Sequence, residues 1–278
     1  MDIFNLNYAE FERFLFIFFR VGALILFVPV LGSKQIPMTM KVGFILFIAI
    51  VIFPLVQNQP LPEPQSIFEL AIYLTADVTI GLGIAFIARL IFGAVQVAGT
   101  VVDFQMGFGV VNVIDPQTDT QVSVTAQFHN ILAILVFLAI DAHHFIIQAI
   151  VDSFFIINPA EVSFSGITPE YMLHLFSGTF TTAVKIAAPI MAILFFLSVG
   201  LGLVARTVPQ MNVFIVGFPL QIGVGLVMVG LSMPFFNILI QQAMLELPSK
   251  FMGFLRHELR GKLKHELPSK FMGFLRLL

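Results

Sequence analysis

The residues able to carry chemistry are few and scattered. Gly-x-Gly pairs stand at Gly81/Gly83, Gly107/Gly109, Gly200/Gly202 and Gly223/Gly225. A dinucleotide site needs a further glycine opening a helix directly after a strand, and a phosphate loop needs Gly-Lys-Ser or Gly-Lys-Thr; neither pattern is completed, which argues against a nucleotide cofactor. In apolar helices such glycines serve close packing or a break. His143 and His144 are adjacent, about 100° apart on a helix, so with Asp141 they would need ligands from elsewhere to hold a metal. Asp141-Ala142-His143-His144 is read instead as a polar hairpin tip. Gly230-Leu231-Ser232 offers the glycine and serine that an intramembrane serine protease uses, but Met233-Pro234 follow and no base histidine is placed with them. Asp77 and Asp103 lie in no aspartyl-dyad motif, and single carboxylates in membranes pair with Arg or Lys. The absence of cysteine removes disulfides, thiolate metal sites and Cys nucleophiles. The expectation is no catalytic residue, no metal site and no cofactor.

The elements that carry these residues are dictated by composition. Of 278 residues, 58% are hydrophobic and 11% charged, against about 25% charged in soluble domains. One soluble core cannot bury that much apolar surface, so most of it must face lipid or equally apolar partners. The net charge of −2 gives no electrostatic reason to expect nucleic acid. Glu10 and Glu12 precede the first apolar run, the wrong sign for a cleavable signal, so the amino terminus is expected to be retained.

Apolar runs fall at about Phe14 to Leu31, Val42 to Val56, Ile67 to Val102, Phe128 to Ile140, Phe145 to Ile157, Leu175 to Ala205 and Val213 to Ile240. All are read as helices, giving an all-α membrane protein of long, kinked helices and helical hairpins. A crossing takes about 20 helical residues, so the Phe128 and Phe145 runs are read as a hairpin that does not fully cross. Five crossings remain. They place Lys34, Lys41 and the basic carboxy-terminal tail on the cytoplasmic side, the Glu63 loop opposite, and Arg206 as an exception.

Arg20, Asp77, Arg89 and Lys185 lie inside apolar runs, where a charge costs several kcal/mol unless paired or hydrated. They are expected to face protein or water. Pro189, Pro219 and Pro234 interrupt runs, which is tolerated where neighbours satisfy the freed carbonyls. Small residues four apart, Gly81/Ala85, Ala94/Ala98 and Ala188/Ala192, permit close helix approach. Together these point to a subunit of an assembly, with a compact self-contained bundle as the alternative.

Glu246 to Arg256 reads ELPSKFMGFLR, and Glu266 to Arg276 repeats the same letters. Two short copies do not build a solenoid, so a recent duplication is expected. Residues 247–278 are read as a basic amphipathic tail after a domain of residues 1–246, lying either on an anionic membrane surface or in solvent.

Between Asp103 and Gln127 the pattern changes: Gly107-Phe108-Gly109-Val110-Val111 precede Asn112, Asp115-Pro116 and a polar run. This stretch is not expected to be helical throughout. Irregular backbone at membrane depth is tolerated only where protein buries it or where it lines a water-filled cavity, so a pore-lining or pore-plugging loop fits, with a plain surface loop as the alternative.

Three motifs then carry a family. Asp103-Phe104-Gln105-Met106-Gly107-Phe108-Gly109 with Val113-Ile114-Asp115-Pro116, then Ala205-Arg206-Thr207-Val208-Pro209-Gln210-Met211-Asn212-Val213-Phe214, and Val216-Gly217-Phe218-Pro219-Leu220 resemble the FliR/SctT family of type III secretion export gates. The resemblance covers the chain to about residue 250. It implies a core subunit of a helical protein export gate in the bacterial inner membrane, within the flagellar basal body. Implied partners are FliP-like and FliQ-like gate subunits, FlhB-like and FlhA-like export components, and unfolded export substrates. It further implies a plug loop matching Met106, Gly107, Phe108, Gly109, Val110, Val111, Asn112, Asp115 and Pro116. Gly107 and Gly109 are expected to act as hinges, with Phe108, Val110 and Val111 as the seal. Arg20, Asp77, Arg89, Lys185 and Arg206 are expected to make subunit contacts. Gln221 stands where family members often carry lysine. The competing readings are a virulence type III gate, a small-molecule transporter, which would need related halves with a midplane site, and an intramembrane enzyme.

Overall fold

A computed structural model describes residues 8–33, 35–57, 59, 61–108, 123–161, 169–210 and 212–255. Among them there is no strand. The helices are α1 (Tyr8–Phe27), α2 (Met38–Val56), α3 (Ile67–Met106), α4 (Val124–Ala139), α5 (Ala142–Ile156), α6 (Pro169–Thr207) and α7 (Val213–Leu245), with a 3-10 turn at Pro159–Glu161. Helical turns resume over 247–255. The all-helical expectation holds, and the prolines at 189, 219 and 234 all sit inside continuous helices.

By length and composition, Met38–Val56, Ile67–Met106, Tyr171–Thr207 and Ile215–Leu255 are each long and apolar enough to cross a membrane. The pair α4 and α5, separated by a short break, supplies a fifth span or a re-entrant element. α1, expected as a crossing, is not among these, because Glu10, Glu12, Arg13 and Arg20 place four charged residues in its 20. α3 has 40 residues, which at 1.5 Å per residue is about 60 Å, twice the hydrocarbon thickness of about 30 Å.

The chain divides into two compact units. The first gathers Met1–Arg89, His143–Leu175 and Glu246–Leu278. In it, α1 turns one face inward, and Glu12, Phe16 and Arg20, spaced four apart, are all buried. α2 buries only Ile45, Ala49, Ile52 and Val56, a single narrow stripe on a helix apolar all round. The Arg13 guanidinium donates to the Val56 carbonyl at 3.3 Å, supplying a cation and a donor to the last turn of α2. α3 crosses α1 at Gly81, where any Cβ would meet the Arg20 carbonyl oxygen and the Ala23 side chain. Gly81 and Ala85 are both buried, so this small pair does serve close approach.

The first copy of the duplicated segment belongs to the packed part of this unit. Leu247, Phe251, Phe254 and Leu255 are buried, and the Phe254 ring lies over Gly83. The Tyr171 hydroxyl donates to the Lys250 carbonyl at 2.9 Å. Tyr171→Phe should therefore lower stability by about 0.5–1.5 kcal/mol, read as a small fall in thermal midpoint of the purified protein in detergent; no fall would mean that this hydrogen bond adds nothing. The second copy lies outside the described residues.

The second unit comprises Leu90–Ala142 and Phe176–Leu245. Ala94, Val95, Ala98 and Val102 of α3, Ala126, Ala133 and Phe137 of α4, Ile190 and Leu194 of α6, and Phe236 and Ile240 of α7 form its interior. Ala94 and Ala98 are packed as expected, whereas Ala188 and Ala192 are exposed on α6. Phe195, Phe196, Val199 and Leu203 of α6 and Leu226, Val227 and Leu231 of α7 are exposed as well.

Candidate functional site

α3 ends at Met106 because Gly107 and Phe108 close it. The Phe108 N–H donates to the Asp103 carbonyl at 3.1 Å and the Gly107 N–H to the Phe104 carbonyl at 3.2 Å, the paired bonds of a Schellman terminus, which place the residue after the helix in the left-handed region. Gly107 occupies that position with φ 92°, a conformation in which a side chain is strained. A Cβ there would also lie 2.7 Å from the Phe218 ring on α7. Gly107 thus forms an elbow packed on a residue of the third sequence motif. Met106 is fully buried and fills the space over Gly225, where a Cβ would come within 2.5 Å of its side chain.

The chain returns at Ser123, the N-cap of α4, whose hydroxyl accepts from the Ala126 N–H at 3.0 Å. The same hydroxyl donates to Asp103 Oδ2, and the Thr125 N–H donates to that oxygen at 3.3 Å. The carboxylate therefore sits at the positive end of α4. Thr125 is held from its other side as well, since His129 Nδ1–H donates to its carbonyl at 2.8 Å while the ring meets Phe236 edge to face at 4.9 Å. One turn before Asp103, Gly99 presses directly on the Ala126 backbone. The departure of the chain at 106–108 and its return at 123–126 are thereby tied together by α3.

Of the plug-loop residues expected, Met106, Gly107 and Phe108 form this locked helix end; Gly109, Val110, Val111, Asn112, Asp115 and Pro116 lie outside the described residues. Gln221, the departure from the family pattern, donates Nε2–H to Ser198 Oγ at 3.1 Å and so links α7 to α6.

The charges expected at subunit contacts separate into two groups. Arg20 and Asp77 have no exposed side-chain surface and pair with each other inside the first unit: Arg20 Nε donates to Asp77 Oδ1 at 2.6 Å. Arg20 NH1 donates to Ser153 Oγ at 3.0 Å, and its guanidinium carbon lies 3.9 Å from the centre of the Phe154 ring. Ser153 directs its own proton to the Ile150 carbonyl at 2.6 Å. These groups meet inside the first unit. Arg89, Lys185 and Arg206 are exposed and free to meet a second chain. Ser232, weighed as a nucleophile, is buried and donates to the Val229 carbonyl at 3.0 Å, a bond back along its own helix.

Three features escaped sequence reasoning: the Asp103–Ser123–Thr125 contact, Gly99, and Ser153 with Phe154. A signal existed only for Ser123, a good N-cap residue directly before an apolar run.

Comparison with known proteins gives one family and a consistent set of relatives. Residues 11–247 match the family model "Bacterial export proteins, family 1". The chain is 37% identical over 222 residues to "Flagellar biosynthetic protein FliR" of Bacillus subtilis, covering 78% of this chain and 85% of that protein. It is 29% identical over 215 residues to the protein of the same name from Escherichia coli, covering 77% and 82%. "Yop proteins translocation protein T" of Yersinia pestis is 29% identical over 208 residues, covering 73% and 78%.

Proposed function

The chain belongs to the bacterial export proteins, family 1, and from that premise we propose that it is the FliR-type subunit of a flagellar protein export gate in the bacterial inner membrane. It works as a channel subunit without catalysis, joining FliP-like and FliQ-like subunits, with FlhB-like and FlhA-like components supplying the remainder of the apparatus and unfolded polypeptides as cargo. The match over residues 11–247 carries the export role. The 37% identity to the Bacillus subtilis flagellar protein supports the flagellar system, while the Escherichia coli flagellar protein and the Yersinia translocation protein stand equal at 29%.

Gating is assigned to the stretch from Met106 to about Gln121. Its support is the construction of its base: a helix end locked by Gly107, a buried Met106, and a return point fastened to the same helix. An apolar constriction held in this way excludes ions at rest by dewetting and opens when cargo displaces it. Arg89, Lys185 and Arg206 are assigned to contacts with sister subunits, because exposed cations on apolar helices demand partners or water.

One strain series tests this. In the bacterium that encodes this chain, deletion of its gene should abolish motility, and the intact chain should restore it. A variant lacking Gly107 to Asn112 should assemble with its partners yet leak small solutes at rest. Persistent motility in the deletion strain would overturn the flagellar assignment. Unchanged permeability in an assembled gate would overturn the plug.

A further inference from the structure

A plug needs something to hold its seal in place, and the structure assigns that task to Asp103: we propose that its carboxylate is the positioning residue that fixes the base of the gating segment, by holding the end of α3 and the start of α4 together. The proposal rests on the gating role assigned to that segment.

Four observations point to it. Asp103 is only 5% exposed, on a helix whose surroundings are apolar. A buried carboxylate there is costly unless its oxygens are engaged. Oδ2 is engaged twice, by the Ser123 hydroxyl and the Thr125 N–H, and both donors belong to the first residues after the gating segment. The Asp103 carbonyl, on the same residue, accepts the Phe108 N–H that closes the Schellman turn before that segment. One residue thus contacts the chain on both sides of the excursion. Asp103 Oδ1 is buried as well, so neither oxygen of the carboxylate faces open solvent.

The alternatives are weaker. A helix N-cap alone would need only Ser123, which already satisfies the Ala126 N–H. A packing role alone would be met by an apolar residue, which would avoid the cost of burying a charge. The carboxylate becomes necessary when two backbone segments separated by 20 residues must be held by one group.

A carboxylate hydrogen bond is worth about ten- to a hundredfold in the equilibrium it biases, so Asp103→Ala should raise the resting leak of small solutes through the assembled gate by about that factor. Asp103→Asn, which keeps an acceptor oxygen, should leak less than Asp103→Ala. Because the chain contains no cysteine, the clamp can be rebuilt covalently with Asp103→Cys and Ser123→Cys together. In membranes holding the full complex, the oxidised pair should seal to the parental level and the reduced pair should leak, with the amount of assembled complex unchanged between the two. A structural role alone would not give a leak that reverses with reductant at constant assembly. Should Asp103→Ala fail to assemble, the cysteine pair still decides: equal leak in the oxidised and reduced states overturns the proposal. If Asp103→Ala seals normally while the Gly107–Asn112 deletion leaks, the clamp falls and the plug stands. If neither leaks, both fall.

Discussion

Replacing Asp77 with alanine should destabilise the protein by about 3–5 kcal/mol, because it strands a guanidinium that has no exposed surface. Arg20 would keep the Ser153 hydroxyl and the face of Phe154, but neither carries a counter-charge. Arg20→Ala should cost a comparable amount, since it leaves the Asp77 carboxylate uncompensated and opens a void against α3. The double replacement Arg20→Met with Asp77→Leu should be milder than either single change, because apolar residues of similar volume remove the desolvation cost of both ions together. Membrane abundance of the chain and its thermal midpoint in the purified complex read the effect. Single variants as stable as the parent, or a double variant as damaged as the sum of the singles, would show that this pair is not a buried clasp between α1 and α3.

Gly99→Val should produce the second large loss, at or above the upper end of the 1–3 kcal/mol that overpacking typically costs, about 3 kcal/mol. The obstacle is the Ala126 backbone itself, which cannot rotate away as a side chain would. α4 must shift bodily, and the hydrogen bonds from Ser123 and Thr125 to Asp103 shift with it. Gly93 provides the internal comparison: a Cβ there meets nothing within 4 Å, so Gly93→Ala should gain about 0.8–1 kcal/mol from helix propensity alone. The thermal midpoints of the two variants should move in opposite directions; a joint fall would mean that the α3 interior does not tolerate added volume anywhere.

Much of this architecture is legible in the residues taken alone, because it is set by local pattern. Run length and apolarity mark the helices, and the Gly81/Ala85 and Ala94/Ala98 spacings mark faces where α3 is tightly packed. The change from apolar run to glycine at Gly107 marks the end of α3. What local pattern cannot reveal is pairing at a distance. Arg20 meets Asp77 across 57 positions and Ser153 across 133, so two of the charges read as subunit contacts pair within one unit. Periodicity also cannot tell a solvated basic tail from a helix that packs, and Leu247, Phe251 and Phe254 are seated among other residues. At Gly107, sequence shows a glycine that ends an apolar run, whereas its positive φ and the adjacent Phe218 ring are visible only in the fold.

The length of α3 has a consequence for how the chain meets a bilayer. A 40-residue apolar rod is a poor match for any bilayer, and each ångström of surplus is penalised whether the rod tilts or the lipid stretches. Within the chain itself the other helices already cover about half of this span, 56% of its most apolar window being buried, so the surplus length is shielded by protein and not by lipid alone.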